Sequence, residues 1–306
     1  MTLTLVVSLT VLSLVWSSYY TSAGMVAGSI SPFLLGILIR LVTLVFFSIL
    51  FGVQRKLKRL LAVRGVLGGL ILVGLLGFSL DITAFLGLRF SSATDGSILL
   101  KMDLIFANIL TSLIWRKHLG WQNWSFTGVA LVGVFCVLGI SPANLEPGSW
   151  GNLFFILSAF FIALNAFVIQ RLQHHRSNPV PDGVIAFYNN AVTLLFFSAT
   201  WVLFDRGSGG PVSGWQPGIV VPVLVAGICQ SLLYLLYYYN LRRLPVWVVK
   251  LFLLQIPVFT ALFEWGLSGS APTRLQWLGM GLILSSSAGI LLSGKKKGFV
   301  GNVSGR

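Results

Sequence analysis

Acidic residues are scarce in this 306-residue chain, and so are charged residues of any kind. There are seven Asp and Glu residues in all; charged residues make up 9% of the chain and hydrophobic residues 56%. Soluble proteins typically carry about 25% charged residues. The composition therefore excludes water-soluble classes, including nucleic-acid-binding proteins, despite a formal net charge of +14. The acids are also scattered, which disfavours a membrane enzyme such as a lipid-modifying transferase, because its chemistry needs a carboxylate or histidine cluster.

Cysteine and histidine are rarer still. Cys136 and Cys229 both fall inside hydrophobic runs, so no structural disulfide is predicted. His118, His174 and His175 lie in or beside loops, and too few ligands are present to build a metal site. Nothing resembles a nucleotide-binding loop. We therefore predict neither a metal, nor a cofactor, nor ATP-driven chemistry.

Hydrophobic runs of about 20 residues recur along the whole chain. A helix of this length crosses a hydrocarbon core of about 30 Å. The first run starts close to Met1 without a basic n-region, so we expect a transmembrane helix and not a cleaved signal peptide. The connections are short, which leaves no room for a soluble domain. We predict ten spans, at residues 2–20, 31–53, 65–88, 92–115, 122–140, 150–170, 183–204, 216–239, 245–267 and 275–293.

Lysine and arginine alternate between the two sides of the predicted spans. The odd-numbered connections hold three of them: Arg89, Arg206 and Arg274. The even-numbered connections and the tail hold fifteen: Arg55, Lys56, Lys58, Arg59, Arg64, Arg116, Lys117, Arg171, Arg176, Arg242, Arg243, Lys295, Lys296, Lys297 and Arg306. The positive-inside rule then places both termini in the cytoplasm. A lipid-binding basic patch at 55–59 is the alternative for part of this charge.

The two halves of the chain resemble each other at their ends. Residues 128–132 (Gly-Val-Ala-Leu-Val) match residues 279–283 (Gly-Met-Gly-Leu-Ile) at an offset of 151. Five spans is an odd number, so a second set of five must enter the membrane from the opposite side. We predict an all-α integral membrane protein of two inverted five-helix repeats, 1–145 and 146–294, followed by a basic cytoplasmic tail, 295–306. Inverted repeats are typical of alternating-access transporters, whose site lies near the midplane between the repeats.

Two lysines stand inside predicted spans, where a charge costs about 2.5–3.5 kcal/mol or more. Lys101 and Lys250 lie in the fourth and ninth spans, which correspond in a five-plus-five chain. Lys101 is about 14 Å along an unbroken helix from Ser92, near mid-membrane. Both could bind an anionic group. The alternatives are an ion pair of Lys101 with Asp81 or Asp103, and a Lys250 that snorkels to the cytoplasmic edge.

Other polar residues could line the same cavity. Asn108 shares a helix face with Lys101, whereas the amides of Asn189 and Asn190 could either read a substrate or hydrogen-bond between helices. Arg40 is expected to contact another helix, with Asp81 as a candidate partner. If transport is coupled to protons, Asp81 or Asp103 is the candidate proton carrier. The tyrosines at 237–239 resemble an interfacial belt. The remaining candidates are Trp16, Tyr188, Gln230, Tyr234 and Gln255.

The chain resembles the drug/metabolite transporter superfamily, and specifically its EamA-type permeases, over nearly its whole length. The resemblance rests on four segments: Trp16-Ser17-Ser18-Tyr19-Tyr20, Ser31-Pro32-Phe33 followed by Arg40, residues 87–93, and the proline-containing residues 254–262. The first half lacks the family's proline near 104–107. It also lacks the family's common glutamate after this segment, and Lys117 and His118 stand near that position. The resemblance implies a permease that moves a small polar, anionic metabolite by alternating access.

A weaker likeness points to nucleotide-sugar transporters. Two segments resemble the lysine-bearing segments of that branch: Leu99-Leu100-Lys101 and residues 249–252. The run Phe187-Tyr188-Asn189-Asn190 resembles its Phe-Tyr-Asn-Asn motif. The companion motif of that branch is matched at 246–250 by Lys250 alone. The alternatives are therefore a nucleotide-sugar antiporter of the Golgi membrane, an amino-acid or drug exporter, or a flippase for lipid-linked sugars. Compact loops favour a prokaryotic plasma membrane. The predicted partners are the lipid bilayer and a small-molecule substrate, and a homodimer stays open.

Overall fold

Helices account for nearly all of the regular structure. The computed structural model describes residues 3–26, 29–90, 96, 99–115, 120–138, 150–175, 178–205, 217–269 and 271–296. These residues form helices and turns, with no β-strand among them. The helices are α1 (Leu3–Gly24), α2 (Pro32–Val53), α3 (Lys58–Leu61), α4 (Leu67–Phe90), α5 (Met102–Trp115), α6 (Trp121–Leu138), α7 (Trp150–Gln173), α8 (Asp182–Thr200), α9 (Pro217–Leu241), α10 (Val246–Phe252), α11 (Ile256–Ser268) and α12 (Arg274–Lys296).

Eight of the helical segments in these ranges are long and apolar enough to cross a membrane. The prediction of an all-α integral membrane protein is therefore confirmed. Two segments depart from a simple spanning helix. α5 has only 14 residues, about 21 Å at 1.5 Å per residue, and α10 and α11 are separated by the 3₁₀ segment Leu253–Gln255. The ten-span count, the inverted repeats and the cytoplasmic termini stay predictions.

The chain divides into two compact units, each of which combines helices from both halves of the sequence. Unit A comprises Met1–Leu14, Ser79–Phe167 and Asn240–Arg306. Unit B comprises Val15–Phe78 and Val168–Tyr239. Segments distant in sequence thus pack together within each unit, as expected when every helix must find its partners inside the bilayer.

Small residues bring backbones close together in unit A. α6 packs against α12, and a Cβ atom on Gly133 would lie 2.8 Å from the carbonyl oxygen of Gly279. Ser286 Oγ on α12 donates to the Phe126 carbonyl on α6 at 2.7 Å. Glycine permits the close approach of the two backbones, and the serine hydroxyl adds a hydrogen bond between the helices. Such contacts matter in a bilayer because lipid provides no hydrophobic driving force between helices. The two sequence segments that suggested a repeat, 128–132 and 279–283, lie on these two helices.

Polar groups join the helices of unit B. Thr43 Oγ1 on α2 reaches the Gly227 carbonyl on α9 at 3.3 Å, and Thr193 Oγ1 on α8 donates to the Gly74 carbonyl on α4 at 3.1 Å. A Cβ atom on Gly74 would overlap the Val192 side chain. Close backbone approach and hydroxyl-to-carbonyl bonds therefore act together in this unit.

Candidate functional site

The fourth predicted span is interrupted at Lys101. Leu100 and Lys101 form a turn, and α5 begins at Met102. The turn is closed by i+3 bonds: the Asp103 amide donates to the Leu100 carbonyl at 3.2 Å, and the Leu104 amide donates to the Lys101 carbonyl at 3.3 Å. The expectation of an unbroken helix from Ser92 is therefore wrong at this point, and Lys101 marks the start of a shorter helix.

The ninth predicted span is also interrupted, and here the sequence explains why. Pro257 lacks an amide hydrogen, so the Leu253 carbonyl has no donor four residues ahead. The Ile256 amide donates to Leu253 instead, although an uninterrupted α-helix would direct it to Phe252. The hydrogen-bond ladder tightens to a 3₁₀ turn, and α10 ends at Phe252, two residues after Lys250.

A serine from the first helix stabilises this second break. Ser13 Oγ lies 3.1 Å from the Phe252 carbonyl and 3.1 Å from the Leu9 carbonyl of its own helix, and it is fully buried. A second bond nearby joins Asn240 Nδ2 to Ser8 Oγ at 2.8 Å. Neighbouring serines satisfy backbone carbonyls where a membrane helix is broken. The first part of α1 therefore holds the segment that carries Lys250.

The two interruptions bring opposite charges together. Lys250 Nζ lies 3.1 Å from Asp103 Oδ2, with the lysine side chain 2% exposed and the aspartate side chain 15% exposed. Asp103 is in the first turn of α5 and Lys250 in the last turn of α10. Each charge thus sits at the helix end whose dipole favours it. This burial contradicts the alternative of a snorkelling Lys250.

Lys101 completes a cluster of three charges, which we call the lysine–aspartate cluster: Lys101, Asp103 and Lys250. The half-buried Lys101 interacts electrostatically with both of the other groups. The ion pair seen for Asp103 is to Lys250, whereas the sequence suggested Lys101 as its partner. Lys101 and Asp103 are two residues apart and so do not share a helix face. With all three groups ionised, the cluster has a formal charge of +1.

Two buried amides of unit A retain unused hydrogen-bonding capacity. Asn108 donates from Nδ2 to Thr127 Oγ1 at 3.0 Å, but its Oδ1 has no partner among the described residues. Gln255, in the 3₁₀ segment, likewise has an unpartnered and buried Oε1 within the described part of the chain. Buried acceptors without a donor are uncommon in proteins and call for an explanation. Both residues belong to the segments that carry the lysine–aspartate cluster.

The candidates on α8 are occupied by bonds within unit B. Tyr188 Oη donates to the Leu60 carbonyl at 2.8 Å. Asn189 Nδ2 donates to Tyr238 Oη at 2.8 Å, and Asn190 Nδ2 donates to the Ala186 carbonyl at 2.8 Å. These contacts favour the structural alternative, in which the polar groups join helices. Their role in binding substrate stays a prediction.

Aromatic candidates in unit B also pack on protein. The Trp16 and Tyr237 rings meet edge to face, with centroids 5.7 Å apart, and Gln230 Nε2 donates to Tyr234 Oη at 3.3 Å. Tyr238 is fully buried. The assignment of Tyr238 to an interfacial belt is therefore wrong, because its hydroxyl is bonded inside the unit.

Arg40 contacts another helix, as the sequence suggested. Its guanidinium carbon lies 4.4 Å from the centroid of the Phe197 ring on α8, and Nη1 donates to the Gly36 carbonyl at 3.2 Å. A cation over an aromatic face is favourable when both are shielded from water. Asp81, the other acid considered as a proton carrier, is half-buried on α4.

The sequence model of the EamA-like transporter family matches this chain twice, over residues 4–139 and 149–292. The chain belongs to the EamA-like transporter family. This family is one of membrane transporters, and membership of it favours transport over catalysis. The EamA resemblance found in the sequence is confirmed.

Similar proteins agree with this assignment. Two from Bacillus subtilis, named uncharacterized transporters YdfC and YcxC, are 22% and 25% identical over 69% and 67% of this EamA-like chain. The match covers 66% and 65% of their own lengths, slightly less than two thirds. An uncharacterized transporter of Archaeoglobus fulgidus is 25% identical over 70% of this chain and 71% of its own. A protein crystal structure shares the fold at 17% identity, with a TM-score of 0.79 over 94% of this chain and 97% of its own.

The predicted site residues thus fall into two groups. In unit A the structure brings Asp103 to Lys250 beside Lys101, with Asn108 and Gln255 on the same segments. In unit B Trp16, Tyr188, Asn189, Asn190, Gln230 and Tyr234 make contacts with protein groups. Sequence reasoning missed Ser13, because it is one of several serines and threonines in α1 and nothing local sets it apart.

Proposed function

We propose that this EamA-like transporter is a secondary permease that moves a small polar, anionic metabolite across the membrane by alternating access, with the lysine–aspartate cluster as its substrate site. The observation that carries the proposal is the pairing of Lys250 with Asp103 at 3.1 Å, beside Lys101, where two membrane segments are interrupted. The ionisable groups and the breaks coincide in the same two segments.

The interruptions support a binding role because they are expensive in a bilayer. A broken helix leaves backbone groups that lipid cannot satisfy, so irregular backbone at membrane depth occurs where it is buried in protein or lines a cavity. Short or proline-interrupted segments at corresponding positions of two halves point to the substrate site of a transporter. Here they are the fourth and ninth predicted spans.

The charges support an anionic substrate. Each ionisable group at this depth has a desolvation cost, and Asp103 offsets only one of the two ammonium groups. A substrate carboxylate or phosphate would offset the other and would be held by a charge-assisted hydrogen bond. Donor groups on the same substrate could use the free acceptor oxygens of Asn108 and Gln255.

The proposal retains the architecture predicted from sequence: ten spans, inverted repeats at 1–145 and 146–294, and both termini in the cytoplasm. Asp81 and Asp103 remain the candidates for a coupled proton. The bacterial and archaeal relatives support a prokaryotic plasma membrane.

Uptake by proteoliposomes tests the function. Purified protein is reconstituted, and uptake of a panel of labelled carboxylates, phosphate esters and zwitterions is compared with that of protein-free vesicles. We expect Lys101→Ala to lower uptake of the anionic substrates by at least about tenfold, since truncating one partner of a buried charge interaction typically costs 2–5 kcal/mol. The matched control is Lys56→Ala, which removes a half-buried lysine whose ammonium bonds Gln54 outside the cluster.

Removing Lys250 alone strands Asp103, so its effect on folding must be separated from its effect on transport. Size-exclusion elution and a thermal unfolding midpoint are therefore recorded for every variant. If folded Lys101→Ala and Lys250→Ala proteins both carry every substrate at the rate of Lys56→Ala, the cluster is not the substrate site.

A further inference from the structure

The charge balance of the lysine–aspartate cluster goes beyond the general expectation of an anionic substrate. Lys250 is nearly inaccessible and its ammonium already has a carboxylate at 3.1 Å. Lys101 is the second ammonium in the cluster, and its electrostatic interactions are with Asp103 and Lys250. Among the three groups of the lysine–aspartate cluster, Asp103 therefore offsets one positive charge and leaves one.

A net charge held away from water selects the charge of what binds beside it. A substrate with one negative charge brings the cluster to zero. A substrate with two leaves an uncompensated negative charge, and its Coulomb energy rises steeply as the effective dielectric constant falls. Discrimination of this kind comes from the unpaired charge that the wrong substrate would leave.

We propose that Asp103 is a specificity-determining residue that limits the cargo to species with one net negative charge. This inference rests on the proposed function, because it assumes that the cluster binds the transported anion. Asp103 does so without touching the substrate: it occupies Lys250, and it leaves Lys101 as the cation available to the cargo.

Substitutions that change the charge of the cluster separate this role from a purely structural one. Asp103→Asn raises the formal charge of the cluster to +2, and Lys250→Gln lowers it to zero. The double variant Asp103→Asn/Lys250→Gln returns it to +1, although it has lost the ion pair altogether. A structural role predicts that the double variant is as impaired as the single ones. Charge selection predicts that it regains the selectivity of the natural protein.

The experiment measures competing uptake by proteoliposomes at neutral pH. The probes are two pairs that differ by a second carboxylate: lactate with malate, and gluconate with glucarate. Asp182→Asn is the control, because Asp182 is likewise an aspartate in the first turn of a helix but accepts its bond from Gln173 in unit B. Each variant is tested alongside a folding check by size exclusion.

We expect the natural protein and the Asp182→Asn control to prefer the monoanion of a pair. Asp103→Asn should shift the uptake ratio toward the dianion by at least about tenfold. This factor is less than the full Coulomb energy of two charges in a partly dry site would give. The double variant should restore the original ratio. Should Asp103→Asn fail to fold, Lys250→Gln provides the test: gluconate uptake should fall about tenfold with no gain in glucarate uptake.

Two results would overturn the inference while leaving the permease intact: a natural protein that carries dianions as well as monoanions, or an Asp103→Asn protein whose ratio is unchanged. Retained gluconate uptake in Lys250→Gln would do the same. If the natural protein carries no anion of either class above protein-free vesicles, the proposed function fails, and the inference fails with it.

Discussion

Replacing Asp103 by asparagine strands the Lys250 ammonium, and the cost of this change can be worked out from the structure. The lysine side chain is 2% exposed and its carboxylate partner is 3.1 Å away. Removing one member of a buried ion pair typically costs about 3–5 kcal/mol, because the other charge stays desolvated. The nearby Lys101 adds repulsion in the variant, so we expect a value of about 3 kcal/mol or more for Asp103→Asn.

The reverse substitution should cost less. Lys250→Gln strands Asp103, but this carboxylate is 15% exposed and still has Lys101 beside it. We therefore expect about 1–2 kcal/mol, below the range for a fully buried group. In the double variant neither charge is stranded, and the cost should be smaller than the sum of the single costs by about 1–3 kcal/mol.

Thermal unfolding in detergent measures this cycle. At about 2.1 cal/mol/K per residue, a change of 1 kcal/mol shifts the midpoint of this 306-residue chain by about 1.5 °C, so Asp103→Asn should unfold roughly 5 °C or more below the natural protein. Lys56→Gln, which changes a lysine that bonds Gln54 outside the cluster, serves as the control. Equal losses for the two single variants, or strictly additive losses in the double variant, would refute the account of a buried ion pair supported by a second lysine.

Three further predictions concern contacts within one or the other unit. Ser13→Ala should speed amide hydrogen exchange at the 3₁₀ break, because one hydrogen bond worth about 0.5–1.5 kcal/mol is lost there; Ser13→Thr should preserve the protection, and equal exchange in both would contradict the role of the hydroxyl. Gly279→Ala should destabilise the protein by about 1–3 kcal/mol, since overpacked sites resist added atoms and the new Cβ would lie 2.6 Å from the Gly133 carbonyl oxygen. Its control, Gly281→Ala, places a Cβ with nothing within 4 Å, and a similar midpoint for the two would disprove close packing. Tyr238→Phe should cost about 0.6 kcal/mol, the average for a bond between membrane helices, and an additional Asn189→Leu should then add less than it does alone.

Much of the helical architecture could be predicted from hydropathy, because bilayer thickness fixes the length of an apolar helix. The break in the ninth span has a signal in the sequence, because Pro257 cannot donate to the Leu253 carbonyl. The break at Lys101 has no such signal, because no proline or other helix-breaking residue marks that turn in the fourth span. Short segments of broken helix carry the same apolar residues as continuous ones, so composition does not distinguish them.

The partner of Asp103 could not be predicted from sequence. Lys101 was the nearer candidate along the chain, but the rotation between neighbouring positions turns the two side chains to different faces. The actual partner, Lys250, is 147 positions away, and its contact depends on the packing of α5 against α10. The same holds for Ser13, whose carbonyl acceptor lies 239 residues further along the chain. Which residues of two helices face each other depends on how the helices pack, and local sequence patterns do not show this.

The most direct test of the central claim is the concentration dependence of anion uptake by the Lys101→Gln protein. If the lysine–aspartate cluster binds the transported anion, the KM of that anion should rise by at least about tenfold relative to the natural protein, while the Lys56→Gln control keeps its KM. A folded Lys101→Gln protein with an unchanged KM and an unchanged maximal rate would contradict the claim.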